Sequence, residues 1–510
     1  MTYGTQSLHR LIQRAPSEIG AIDGDWRRDW QAIEQDVRRF AGALLRSGVS
    51  PGDRVAFLSR NSGRYLDYVL GCFWAGAVIN PVNTRWTASE IAYSLENCQT
   101  RTLIVSQDFA ELVPAIAAEA PGLRDIIVDA ADVPDGARSY AQWIADAPLP
   151  EDRRVGGDAL AAILYTGGTT GRPKGVMLSH GNLLASANGY LAFPGARPGR
   201  SYLHVAPLFH IGCLSGMFTS LLAGAAQVFL PMFAPDAVID VVERESVSDL
   251  FLVPTMLRAV LLDPAFAPRR MATVERIVYG ASPIDDTLLD RAMDALPGVS
   301  FIQAYGMTEV SPIATLLGPE DHSGEARRAG RGRSAGRATS STEVRIVDSE
   351  DREVPRGTPG EIVVRGGGVM QGYWGMPEET AQALANGWMH TGDMGRMDAQ
   401  GYVTVVDRLK DMIVTGGENV YSAEVENALS AHPDVQQVAV IGVPHPEWGE
   451  AVHAAVILKA GAVADADALR AFCRERIAAY KTPKTIAFVE ALPLSPAGKV
   501  LKTELRAAYS

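Results

Sequence analysis

The chain has 510 residues, 47% of them hydrophobic and 21% charged. That is the balance of a soluble globular protein, too long for one ordinary domain, so two or more packed units are expected. A formal net charge of -12 leaves nucleic acid or anionic lipid to be gripped only through a local patch working against the global field.

The N-terminal stretch MTYGTQSLHRLIQRAPSE has no basic segment leading into an apolar one, and no run of about 20 apolar residues occurs. Neither export nor stable membrane insertion is expected. Cys72, Cys98, Cys213 and Cys473 form no CxxC pair, which argues against a zinc ribbon or a disulfide framework and fits a reducing, cytoplasmic setting. Short apolar, β-branched runs then alternate with segments of helical periodicity: DRVAFLS (Asp53 to Ser59), TLIVS (Thr102 to Ser106), DIIVD (Asp125 to Asp129), AAILY (Ala161 to Tyr165), AQVFL (Ala226 to Leu230), DLFLV (Asp249 to Val253) and ERIVYG (Glu275 to Gly280). Continuous apolar strands separated by helices predict an α/β fold whose sheets are covered on both faces. The nearest thing to a basic patch, EARRAGRGR (Glu325 to Arg333), is glycine-rich and predicts a mobile surface loop, so no nucleic-acid partner is expected.

After about residue 335 the text turns strand-rich with Gly and Pro punctuation, as in Thr342 to Gly368, which predicts hairpins of a β subdomain. From Val406 onward a further change opens a unit of about 100 residues with alternating strands and an amphipathic helix, a small α+β domain. The boundary is expected near Arg408 to Asp411, giving a large N-terminal domain over 1-407 and a C-terminal domain over 408-510.

The stretch YTGGTTGRPKG (Tyr165 to Gly175) carries phosphate-binding chemistry: glycines let backbone N–H groups approach an anion, threonine hydroxyls add donors, and Lys174 adds charge. It is not a nucleotide-binding P-loop, because Arg172 and Pro173 separate Gly171 from Lys174 and Gly175 follows the lysine. A P-loop also opens straight into a helix. Here Gly175 to Ser179 reads as a strand, with Ser179 capping a later helix. Composition alone leaves a phosphate cradle and a flexible hairpin tip equally open.

The longer string YTGGTTGRPKGVMLSHGN resembles the signature of the adenylate-forming superfamily, whose members include acyl-CoA synthetases, peptide-synthetase adenylation domains and luciferases. QAYGMTE (Gln303 to Glu309), HTGD (His390 to Asp393), VDRLKDMI (Val406 to Ile413) and PLSPAGKVLK (Pro493 to Lys502) match further blocks of that family in its order, across nearly the whole chain. The resemblance implies a large N-terminal domain with a smaller mobile lid. It also implies activation of a carboxylate by ATP to an acyl-adenylate and transfer to a thiol, with Mg²⁺ as cofactor and coenzyme A as co-substrate. Attack of a carboxylate on a phosphate brings two anions together, so cations and oriented donors must offset the repulsion.

Residue by residue, the resemblance puts Thr166, Gly167, Gly168, Thr169, Thr170, Gly171 and Lys174 around the β- and γ-phosphates, with Thr166 and Glu309 holding Mg²⁺. Thr308 would contact the α-phosphate. Gly280, Ala281 and Ser282, in GASP (Gly280 to Pro283), with Ala304, Tyr305, Gly306 and Met307, would line the adenine site, Tyr305 stacking on the base. Asp393 and Arg408 would bind the ribose hydroxyls. Lys499 would bridge the α-phosphate and the substrate carboxylate, Gly416 and Gly417 would flank the pantetheine tunnel, and Lys410 would be the hinge about which the lid rotates between half-reactions.

Amino-acid-activating members carry an aspartate within the segment matching PLFHIGCLSG (Pro207 to Gly216), which here has no carboxylate. His210 matches a histidine that acyl- and aryl-CoA ligases place near the substrate carboxylate. Gly306 stands where acetate-activating members close the acyl pocket with tryptophan, so the expected acid is a medium or long-chain fatty acid or a bulky aryl or alicyclic acid, against a wall that includes Ile211, Met307 and Ile313. An acyl-AMP ligase loading a carrier protein, luciferase-like oxygenation and a non-catalytic nucleotide sensor remain open. So does oligomeric state, a homodimer being one admissible form.

Overall fold

The computed structural model describes residues 3–166, 173–282, 284–409, 411–415, 418–494 and 500–509. All seven apolar runs are strands. Burial on alternate faces explains why they read as continuous apolar text. Val55, Phe57 and Ile104 pack against aromatic residues of helices Trp30–Arg46 and Gly63–Ala75, while Ala56, Leu58, Leu103 and Val105 pack against helices Ala88–Asn97 and Val113–Glu119.

Among the described residues, one large sheet runs in the order Gly372–Tyr373, Lys174–Ser179, Leu160–Thr166, Val78–Pro81, Arg54–Leu58, Thr102–Ser106, Asp125–Asp129, Arg138–Ser139. The chain leaves Arg54–Leu58 for Val78–Pro81 on one side and then crosses to Thr102–Ser106 on the other, all parallel. A second runs Arg337–Ala338, Thr315–Leu317, Ser300–Tyr305, Arg276–Gly280, Asp249–Leu252, Ser201–His204, Ala226–Phe229, Ile19–Asp23, Trp26–Asp29. The β subdomain is an antiparallel sheet of Thr342–Val347, Gly360–Gly366, Met389–Met397 and Val403–Arg408. The small C-terminal domain has its own sheet, centred on Gly449–Leu458 and the antiparallel Val435–His445, with its own buried cluster around Val440, Val452 and Leu469.

The segment Gly175 to Ser179 is indeed a strand, Lys174–Ser179, followed by helix His180–Leu191. Ser179 and Asn182 form a reciprocal capping box, the Asn182 N–H donating to Ser179 Oγ at 3.0 Å and the Ser179 N–H to Asn182 Oδ1 at 2.9 Å. One expectation needs correction: Glu325 to Arg333 is not an irregular loop. Gly324–Arg328 is a short helix and Arg331–Arg333 a 3₁₀ turn, with Arg333 paired to Asp286 at 2.7 Å; the arginines find carboxylates that a linear reading does not bring near. All four cysteines are free and buried, and no helix among the described residues is long and apolar enough to cross a membrane.

Candidate active site

The expected site residues fall mainly at the carboxyl ends of strands in the two large sheets, where open α/β sheets bind ligands. Thr166 ends Leu160–Thr166 and is the register partner of Lys174 on the antiparallel neighbour, so the hairpin fixes both shoulders of the Gly/Thr loop. Gly167, Gly168, Thr169, Thr170 and Gly171 lie outside the described residues, as do Pro283, Lys410, Gly416, Gly417 and Lys499.

On the other side of Lys174–Ser179 the short strand Gly372–Tyr373 pairs antiparallel, with Tyr373 opposite Val176. This seats the Tyr373 ring beside Lys174, whose Nζ is 5.0 Å from the ring centroid. The Tyr373 hydroxyl donates to Glu309 Oε1 at 2.9 Å. Backbone contacts hold the arrangement: Met370 N–H donates to Glu309 O, and Gln371 N–H to Met177 O, both at 2.9 Å.

Glu309 sits in the 3₁₀ turn Thr308–Val310 and is only 6% exposed. Burial pushes its carboxyl above the ordinary value; a backbone hydrogen bond, the Tyr373 hydroxyl and the charges of Arg408 and Lys174 pull the other way. Burial, then the Glu309 charge, keeps the Tyr373 phenol protonated far beyond its usual range. A buried carboxylate held by a backbone donor and the Tyr373 hydroxyl, within the field of Lys174, is chemistry that a further cation would stabilise. Tyr373 escaped sequence reasoning, since one tyrosine in Gly-rich text carries no signal by itself.

A second group forms around Asp393. It is 8% exposed and is the register partner of Arg408 across antiparallel strands. Asp393 Oδ1 lies 3.2 Å from Arg408 Nε, and Oδ2 accepts from the Tyr305 hydroxyl at 2.9 Å. Burial and the Asp393 carboxylate raise the Tyr305 phenol well above its ordinary value. Carboxylate oxygens are acceptors for ligand hydroxyls. Glu361, also absent from the sequence reading, braces this strand from its neighbour: its Oε2 lies 2.9 Å from His390 Nδ1 and its Oε1 accepts from Gly392 N–H at 2.9 Å.

Two glycines are dictated by close approach of backbone. Gly280 pairs with Ala304 on the parallel neighbour, and a Cβ there would lie 2.2 Å from the Ala304 carbonyl oxygen. At Gly306 a Cβ would lie 1.8 Å from Pro312 O. Glycine at 306 therefore has a structural cause of its own, besides the wide acyl pocket that the resemblance implies. Beyond Gly280 the chain turns sharply, with Ala281 at φ +66, a left-handed conformation costing alanine about 1–2 kcal/mol; Ser282 follows it.

Thr308 opens the 3₁₀ turn, with Met307 just before it. His210 occupies the N-cap position of helix Ile211–Ala223 without capping through its side chain, and its ring tilts against Phe209 at 4.4 Å between centroids. Ile211 and Ile313 are buried in one apolar cluster, against which Met307, Ala304 and Tyr305 pack. The expected acyl wall and the adenine-side residues are thus continuous.

A cation beside a buried acid, and a carboxylate poised for hydroxyls on the neighbouring strands, suit an enzyme that binds a nucleotide across these strand ends. The AMP-binding enzyme family matches residues 8–374, and the AMP-binding enzyme C-terminal domain matches residues 424–499. A feruloyl-CoA synthase from Amycolatopsis sp is 39% identical over 501 residues, covering 98% of each chain. The fatty acid–[acyl-carrier-protein] ligase ScoC from Streptomyces coeruleorubidus is 36% identical, covering 98% of this chain and 95% of its own. The crystal structure of ATP-bound MatB from Rhodopseudomonas palustris superimposes with a TM-score of 0.89 at 31% identity, covering 100% of this chain and 99% of the other. The chain belongs to the AMP-binding enzyme family, on its acyl-CoA synthetase branch, and is by class an AMP-forming acid–thiol ligase.

Proposed function

We propose that the protein activates a medium or long-chain fatty acid, or a bulky aryl or alicyclic acid, as its acyl-adenylate and then transfers the acyl group to coenzyme A. The observation that carries the reading is the pair of clusters at the strand ends, Lys174–Tyr373–Glu309 and Arg408–Asp393–Tyr305. The first suits the polyphosphate and the second the ribose hydroxyls, and Thr308 lies between Tyr305 and Glu309 in sequence, in the turn that carries Glu309.

Glu309 and Thr166 fit as holders of Mg²⁺, an ion that binds through one or two protein oxygens and completes its shell with phosphate and water. Bound there, Mg²⁺ would neutralise charge on the polyphosphate. Lys499 as the adenylation lysine, rotation about Lys410, and the boundary near Arg408 to Asp411 rest on the family resemblance.

For the acid, helix Ile211–Ala223 carries no Asp, Glu, Lys or Arg, so it offers no counter-ion to a substrate ammonium. Relatives that act on feruloyl and fatty acyl groups support an apolar or aryl acid. Transfer to a carrier protein is a second reading, favoured by the likeness to ScoC. A panel of ferulate, octanoate, palmitate and an α-amino acid, scored by AMP release with free coenzyme A and separately with a phosphopantetheinyl carrier protein, tests both. Amino-acid-only activity would refute the acid assignment, and AMP release with the carrier protein alone would replace coenzyme A as acceptor.

A further inference from the structure

A cleft of about 260 Å³ opens at the carboxyl end of Arg54–Leu58, where the loop Ser59 to Ser62 meets the ends of Thr102–Ser106 and Asp125–Asp129. None of the active-site residues above lines it. The strand order reverses here, since the chain leaves Arg54–Leu58 to one side and returns on the other, and the crevice outside such a switch point is where doubly wound sheets place ligands.

Two hydroxyls on the lining of this cleft have no hydrogen-bond partner among the described residues. Tyr140 is 3% exposed and lines the cleft, yet its hydroxyl has no hydrogen-bond partner among the described residues. The buried Oγ of Ser106, also on the lining, is in the same condition. Buried polar groups are nearly always paired, so two that converge on one cleft point to something that pairs them.

Two arginines, Arg60 and Arg64, line the same cleft. Arg64 is clamped between the rings of Trp26 and Tyr140, at 4.9 and 4.7 Å from their centroids, which fixes its plane and leaves its donor edge for a ligand. Its nearest carboxylates, Asp129 and Asp67, are 3.5 and 3.7 Å away, and Arg60 is 3.6 Å from Asp108. These separations exceed the roughly 2.7–2.9 Å of a charge-assisted hydrogen bond. Asp129 and Asp108 lie at the rim with side chains 41% and 43% exposed, and Asp23 is already engaged by the Gly63 N–H at 2.8 Å. Phe40, Phe57 and Ile104 supply an apolar floor.

We propose that this cleft is a second ligand site, separate from the active site, for a small carboxylate on an aromatic-sized apolar body. Its carboxylate is received by Arg60, Arg64 and the Tyr140 and Ser106 hydroxyls, and its body lies on the aromatic floor. A volume of 260 Å³ equals that of roughly nine water molecules, which admits a benzoate-sized body with room to spare.

The test is calorimetry of benzoate, and in a parallel arm inorganic phosphate, into the full-length protein and its Tyr140→Phe and Arg64→Gln variants. Tyr140→Phe removes only a hydroxyl with no partner among the described residues, so it folds with an unchanged or higher melting temperature and is the cleaner probe. Benzoate should bind the wild type, with at least tenfold weaker binding in Arg64→Gln and three- to tenfold weaker in Tyr140→Phe. Absence of benzoate binding, or binding that both variants leave unchanged, overturns the site. Phosphate bound as tightly as benzoate overturns the apolar body in favour of a bare oxyanion.

Discussion

Replacing Tyr373 with phenylalanine should weaken the enzyme through Glu309, one of the groups assigned to the metal. The ring and its place beside Lys174 survive; what is lost is the 2.9 Å hydrogen bond to Glu309 Oε1. A hydrogen bond to a charged group is worth about 1.5–3 kcal/mol, so kcat/KM for MgATP should fall about 10- to 100-fold. The sign of the pH effect follows from protonation. Burial already raises the Glu309 carboxyl, so the folded chain holds this proton more tightly than the unfolded chain. The ionised group therefore costs stability that returns as pH falls through the folded-state value. The Tyr373 hydroxyl favours the ionised form, and removing it raises the carboxyl further. The acid limb of the kcat/KM profile should move to higher pH in Tyr373→Phe, and excess Mg²⁺, competing with the proton, should move it back. Pyrophosphate exchange against pH at two Mg²⁺ concentrations measures this. A variant with wild-type kcat/KM and an unmoved acid limb would refute the role given to the Tyr373–Glu309 pair.

Gly306→Ala should destabilise by about 1–3 kcal/mol in urea unfolding, as overpacking does, because its Cβ would meet Pro312 O at 1.8 Å; a stable variant with a preference shifted to short acids would instead give the position to the acyl pocket alone. Lys502 donates to Glu426 Oε1 at 2.7 Å, and Lys502→Met should cost about 1–3 kcal/mol in thermal unfolding by leaving that carboxylate without this cation, the Val440 N–H still donating to it, with a partial rescue in the Lys502→Met/Glu426→Gln double variant. Lys499→Ala should abolish adenylate formation from acid and ATP while sparing thioester formation from supplied acyl-adenylate; equal losses in the two assays would remove Lys499 from the first half-reaction.

Much of this architecture is readable along the chain. The run TLIVS is a strand over Thr102–Ser106 because burial on both faces demands an apolar residue at nearly every position. Ser179 could be read as a cap because its partner Asn182 is three residues away, within reach of local spacing. The reading of Gly306 was incomplete for the opposite reason: what forbids its Cβ is the Pro312 carbonyl, a contact made by the fold of the following turn. The segment Glu325 to Arg333 reads as a loop but forms a short helix and a 3₁₀ turn at the surface, and Asp286, which pairs with Arg333 there, is distant in sequence.

By itself, then, the sequence determined the strands, the capped helix, the family blocks and the residue types available for phosphate, ribose and metal. Those signals live in runs of a few residues, where periodicity and spacing act directly. Only the tertiary structure decided that Tyr373 would share its hydroxyl with Glu309, 64 positions earlier, that Glu361 would brace His390 and Gly392 on the neighbouring strand from 29 or more residues away, and that Arg64 would pack on the rings of Trp26 and Tyr140 beside the cleft. Hydrogen bonds and cation–π contacts act over a few ångströms, so which groups they join is set by how strands and crossovers fold back, information that no local window of the chain contains.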